Sequence, residues 1–217
     1  MLKKIKQTKS EKLLLIFLIL LAIFSLISFI LIKNKCLFVE KVNFSKLSFN
    51  NPENIVILNV PCGNVVIELF PSISPNSVER FKKLVKNKEY DDVAFHRVVK
   101  NFLVQAGDLE FGRKDNINYT YIGSGRSKYD LIKPETDKPF QFKKGTVAFA
   151  KSKSGDEEDS EFLILLTDAL LFEGEYTPLG RVIYGISALE KIKFNDQSEY
   201  VLRPDFINSL RILSDIN

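Results

Sequence analysis

One arginine stands in the middle of an apolar run, Phe95-His96-Arg97-Val98-Val99. If this run is a strand, Phe95, Arg97 and Val99 face one way and His96 and Val98 the other. A guanidinium among apolar neighbours is costly to bury without partners, so Arg97 either reaches solvent or belongs to a site. His96, the chain's one histidine, is assigned to packing.

Other chemistry-bearing groupings are weaker. Gly155-Asp156-Glu157-Glu158-Asp159 lacks the spacing of a calcium loop and reads as a solvated acidic segment that could favour basic partners. Gly123-Ser124-Gly125-Arg126 lacks the Gly-Lys-Ser/Thr ending of a phosphate-binding loop. One His and two separated Cys form no metal-ligand pattern. Cys36 and Cys62 could pair in an oxidising compartment, but two unpaired thiols are the plainer expectation.

The elements that must position these residues follow from patterning. Leu13 to Ile32 holds no charge and is long enough to cross a bilayer, which predicts a transmembrane helix over 13–32. A cleaved signal peptide is the rival, but a shorter apolar region ending at small residues would be expected, and this one ends in Lys33-Asn34-Lys35. Five lysines precede the span, against Lys33 and Lys35 just after it. That bias keeps residues 1–12 in the cytoplasm and places the remainder outside, facing the periplasm if the membrane is a bacterial inner membrane.

Residues 33–53 read as a linker and 54–217 as a single domain. The net charge of +4 is already supplied by residues 1–12, and residues 47–217 hold 22 Lys and Arg against 25 Asp and Glu. A nucleic-acid surface would need a basic stripe on the folded part, so nucleic acid is not an expected partner.

Within the domain, Ile55 to Val60 and Val65 to Phe70 are apolar, β-branched runs separated by a turn, which predicts a hairpin. Ser74-Pro75 then opens a helix whose apolar positions Val78, Phe81, Leu84 and Val85 recur until Asn87. Further strands are expected at 94–99, 102–105, 145–150, 161–166, 179–184 and 209–213, with a second helix over 187–193. The pattern predicts a mainly β, mostly antiparallel sheet curling into a barrel capped by two helices. The weakly periodic segment 109–144 is a loop of the length that usually wraps a site.

The run from Phe95 to Asp108, FHRVVKNFLVQAGD, resembles the signature of the cyclophilins. Gly145 to Ala150, Ser160 to Ile164 and Leu179 to Val182 resemble that family's later segments in the same order, and the likeness extends along most of 55–213. The resemblance implies a closed eight-stranded antiparallel barrel and a peptidyl-prolyl cis-trans isomerase without a cofactor, acting on proline-containing segments.

It also implies roles. Arg97 would be the catalytic donor. The proline ring would rest on Phe102 and Leu103, with Leu163 on the opposite wall. Gln105 would bind the substrate backbone or orient Arg97, and Ala150 and Lys151 would line the rim. Tyr176 falls where the family has His or Tyr near the ring. The chain departs from the pattern at Glu161, where Gln is usual, at Leu163, where Phe is usual, and at Leu171-Phe172, where an aromatic residue, often Trp, is common. Glu161 could pair with Arg97, either fixing it or drawing it from substrate. Assistance to the folding of exported or membrane proteins is the leading expectation, and a proline-segment-binding chaperone or assembly module with little turnover is the alternative.

Overall fold

The computed structural model describes residues 8–33, 35–151 and 157–216. The chain forms two compact units, residues 1–38 and 39–217. The first contains helix α1, Lys9–Lys33, whose 25 residues span about 37 Å at 1.5 Å per residue. It is long and apolar enough to cross a membrane. Of the basic tail expected over 1–12, residues 1–7 lie outside the described residues.

The second unit is mainly β. Its strands are β1 (Ile55–Val60), β2 (Gly63–Leu69), β3 (Arg97–Val99), β4 (Leu103–Ala106), β5 (Thr146–Phe149), β6 (Phe162–Leu165), β7 (Pro178–Tyr184) and β8 (Ser209–Ile212). All pair antiparallel in one curled sheet of order β3-β4-β6-β5-β7-β2-β1-β8, a half-barrel with β3 and β8 at its edges.

Helix α2, Pro75–Lys86, buries Val78, Phe81, Leu84 and Val85. Phe81 meets Tyr90 at 5.4 Å and Phe162 at 5.4 Å between ring centres, so an aromatic cluster joins the helix to the sheet. Ser74 stands at the helix start, yet its hydroxyl donates to the Pro178 carbonyl rather than capping. The Glu135 carboxylate takes that place, accepting from the backbone N–H of Ser77 at 2.8 Å and of Asn76 at 3.3 Å. A carboxylate is favoured there by the helix dipole.

Helix α3 is shorter than expected, Ile186–Leu189 rather than 187–193. The N–H of Lys193 bonds Asp205 instead of a helical carbonyl, which draws the chain away. Residues 39–51, expected as part of a spacer, are packed against the sheet: Val42, Phe44 and Phe49 lie on Ile55, Ile57 and Val66. Neither cysteine is a free thiol, contrary to the plainer expectation.

Candidate active site

Sheet register assembles the site. Arg97 of β3 lies opposite Gln105 of β4, Gln105 opposite Leu163 of β6, and Leu163 opposite Ala148 of β5. Directly opposed residues share a face, so a short strand edge carries a cation, an amide and an apolar wall in one row. The Arg97 Nη1 donates to Gln105 Oε1 at 3.0 Å, and Gln105 Nε2 donates to Glu161 Oε2 at 2.7 Å. Glu161 therefore reaches Arg97 through Gln105, and the direct pairing considered from sequence does not occur. Because an ionised carboxylate only accepts, it turns the Gln105 amide N–H₂ toward itself and leaves the carbonyl for Arg97.

A second carboxylate was not foreseen. Glu199 Oε2 accepts from Arg97 Nε at 2.8 Å, across 102 positions of sequence. No local motif marks Glu199, since only the pairing of residues 199–201 with β3 brings it close. His96 is buried, with its Nε2 3.4 Å from Glu161 Oε2, inside ion-pair range. The hydrogen-bond geometry is not met at either ring nitrogen, so the contact is packing rather than a bond.

The apolar side gathers Leu103, Ala150 and Leu163 with the half-buried Phe102, Phe172 and Tyr176. Phe172 stacks on Tyr176 at 4.3 Å and meets Phe102 edge-on at 5.8 Å. Leu103 is 0 % exposed and Leu163 is 1 % exposed, so both lie beneath the surface of this wall. The accessible faces are those of Phe102, Phe172 and Tyr176. Leu171, at 91 % exposure, projects from the wall instead of lining it. Lys151 lies beside Tyr176, its Nζ 2.9 Å from Glu175 and 5.7 Å from the Tyr176 ring centre.

Buried acidic groups organise the flanking loops. Asp108, fully buried, accepts from Glu110 and Phe111 N–H through Oδ1 and from Gly123 and Gly125 N–H through Oδ2, at 2.6 Å and 3.1 Å for the glycines. Gly123 and Gly125 thus give their amides to an internal carboxylate, while Ser124 N–H donates to the Tyr121 carbonyl and Arg126 N–H to Glu110. A Cβ at Gly125 would collide with Asp108 Oδ1, so the loop requires glycine there. This loop lies beside Ala150, Lys151 and Glu161 at one end of the row.

The acidic run 155–159 is not a solvated face where it is described. Residues 155 and 156 lie outside the described residues, and Glu157 is exposed, but Glu158 and Asp159 are buried. Asp159 pairs with Arg80 at 3.1 Å and accepts from Ser127. Burial pushes the Glu158 carboxyl up to about 7, against the opposing effect of hydrogen bonds from Thr177 and Ser77. Neither carboxylate is free to meet a basic client, a correction to the expectation for this segment.

Eight antiparallel strands in one curled sheet agree with the mainly β fold that the sequence resemblance implied, and the chain matches the family model described as "Cyclophilin type peptidyl-prolyl cis-trans isomerase/CLD" over residues 55–212. The chain belongs to the cyclophilin family. It is 38% identical over 168 residues to a Brucella suis protein named "Probable peptidyl-prolyl cis-trans isomerase", covering 76% of this chain and 85% of that one. It is 30% identical to a "Peptidyl-prolyl cis-trans isomerase" of Acinetobacter baylyi over 67% of this chain and 75% of the relative.

Solved cyclophilins share the fold. AquaCyp293 from Hirschia baltica superposes with a TM-score of 0.63 at 20% identity, covering 76% of each chain. A Cryptosporidium parvum cyclophilin, crystallised in the presence of the dipeptide Ala-Pro, gives 0.62 at 24% identity over 73% of this chain and 98% of its own. This cyclophilin is accordingly an isomerase by family, and its own residues define how the site is assembled.

Proposed function

We propose that Arg97 catalyses rotation about X-Pro bonds in proline-containing segments held against Phe102, Phe172 and Tyr176. The observation that carries this reading is the row Arg97-Gln105-Leu163, which sets a fixed cation at the edge of an apolar wall. Amide resonance imposes a rotation barrier of about 18–20 kcal/mol on the X-Pro bond. Hydrogen bonding that favours a pyramidal prolyl nitrogen weakens that resonance, and an apolar pocket that holds the ring while the preceding carbonyl turns completes the catalyst. No proton moves and no cofactor is required, so a permanently charged donor suits the task better than an acid or base. Ala150 and Lys151 would line the rim, Gln105 would hold Arg97, and Leu103 and Leu163 would support the ring-binding surface from beneath.

The curled sheet would work as a closed barrel. Residues 92–98 exchange backbone hydrogen bonds with 199–207, among them Phe95 N–H to Asp205 at 2.9 Å and Val201 N–H to His96 at 2.9 Å, and 209–212 continues from there as β8 beside β1. Helix α1 would anchor the chain in the membrane with the amino terminus in the cytoplasm, supported by its length, its apolar surface and the lysines that precede it. The domain would then face the outside, the periplasm in a bacterium, and act on the folding of exported or membrane proteins near the bilayer.

The test is turnover of an Ala-Pro-containing peptide by the full chain in detergent micelles, beside Arg97→Ala. The variant should lose roughly 100-fold or more in kcat/KM, the size typical of removing an oriented electrostatic donor. Unchanged turnover would remove Arg97 from the mechanism, and tight peptide binding without wild-type turnover would favour a binding module.

A further inference from the structure

We infer that Glu199 is a positioning residue of the isomerase site, holding the Arg97 guanidinium in a single plane so that its remaining edge faces substrate. The inference rests on the reading of Arg97 as the catalyst. A guanidinium gripped at one nitrogen can still swing about that contact, whereas acceptors on two different nitrogens fix both its plane and its direction. Arg97 has two such acceptors, Glu199 on Nε at 2.8 Å and Gln105 on Nη1 at 3.0 Å. Neither occupies Nη2, which leaves a donor edge for the substrate.

The backbone shows that Glu199 is placed rather than adventitious. Val98 N–H donates to the Glu199 carbonyl at 2.8 Å, Val201 N–H donates to the His96 carbonyl at 2.9 Å, and Arg97 forms an antiparallel bridge with Tyr200. Asn195 and Ser198 side chains shape the turn before it, accepting from Gln197 N–H and Tyr200 N–H at 3.1 Å each. Glu199 is therefore laid alongside β3 on both sides of its carboxylate. Its side chain is 53 % exposed and that of Arg97 is 27 % exposed, so the pair contributes little to stability, and orientation is the property it can supply.

The two arms differ in kind. Gln105 is itself held by Glu161 at 2.7 Å, deep in the row, whereas Glu199 grips Arg97 directly from an exposed turn. Replacing Glu199 should thus loosen the guanidinium without disturbing the apolar wall that binds the ring. A misplaced catalytic group lowers the rate in the bound complex and leaves affinity intact.

The experiment compares full-length wild type, Glu199→Ala, Glu199→Gln and Arg97→Ala in detergent micelles by NMR exchange on an Ala-Pro-containing peptide, which yields the bound-state rate and Kd separately. The Arg97 Nε–Hε resonance is followed in the same samples. Glu199→Ala should lower the bound-state rate about 10-fold, with Kd within about 2-fold of wild type and the Hε signal shifted or lost to solvent exchange. Glu199→Gln keeps an acceptor oxygen and should return the rate to within about 3-fold of wild type. Retention of the wild-type rate by Glu199→Ala, while Arg97→Ala has lost it, would overturn the inference. So would a slowed Glu199→Ala whose Hε resonance is unmoved. Retention of the rate by Arg97→Ala is a different result, and it would sink the reading beneath the inference.

Discussion

The two sides of the groove are built by different means. The apolar wall takes Leu103 and Leu163 from strands, Phe102 from the turn between β3 and β4, and Phe172 and Tyr176 from the turn segment 170–176, each close in sequence to its own element. The charged edge comes from Arg97, Gln105, Glu161 and Glu199, which are 8, 56 and 102 positions apart along their successive contacts. An apolar wall tolerates small changes of shape because its energy is spread over many contacts. A polar chain does not, because each hydrogen bond sets the orientation of the next. Substitutions on the wall should therefore change how tightly a proline segment binds, and substitutions on the edge should change how fast it turns.

The largest separation of the two sides is expected from Gln105→Ala. It removes the acceptor on Arg97 Nη1 and strands Glu161, and should lower the bound-state rate roughly 30-fold with little change in Kd. Phe172→Ala should do the converse. It deletes the face that stacks on Tyr176 at 4.3 Å and should weaken peptide binding about 10-fold while the rate in the saturated complex holds. Titration of the peptide against each variant reads both effects, and equal losses in rate and affinity for either one would dissolve the distinction.

Glu161→Gln should cost less, about 2- to 3-fold in rate, because an amide can still accept from Gln105 but no longer dictates which way that amide points. A further prediction concerns stability rather than rate. Glu158 has its carboxyl raised from 4.5 to about 7, so the folded state holds its proton more tightly than the unfolded chain does. Its contribution is fully present below about pH 4.5 and is lost as pH rises through 7, by up to roughly 3 kcal/mol. Thermal melts of Glu158→Gln should show a shallower decline between pH 5 and 8 than wild type, with the variant gaining at pH 8. An unchanged slope would show that Glu158 is not the group responsible.

Much of the fold was legible because local patterning carries it. The hairpin β1–β2 follows from two β-branched runs about a turn, and α2 from Pro75 and the spacing of Val78, Phe81, Leu84 and Val85. What stayed hidden depended on distant partners. Ser74 looked like a cap, but Pro178 takes its hydroxyl and Glu135 serves the helix start from 58 positions away. Asp159 looked solvated, but Arg80 and Ser127 draw it inward. Arg97 was conspicuous as a cation in an apolar strand, whereas Glu199, in a turn full of polar residues, had nothing to distinguish it. Residue type betrays a site when it is wrong for its surroundings, and conceals one when it is ordinary for them.

A planar guanidinium held at two points and a bare positive charge predict different outcomes for one substitution. Arg97→Lys keeps the charge but gives up the fork that Glu199 and Gln105 grip. Measured by NMR exchange at saturating Ala-Pro-containing peptide, this variant should lose at least about 10-fold in bound-state rate with Kd nearly unchanged. A lysine variant that turns its substrate as fast as wild type would show that positive charge alone suffices.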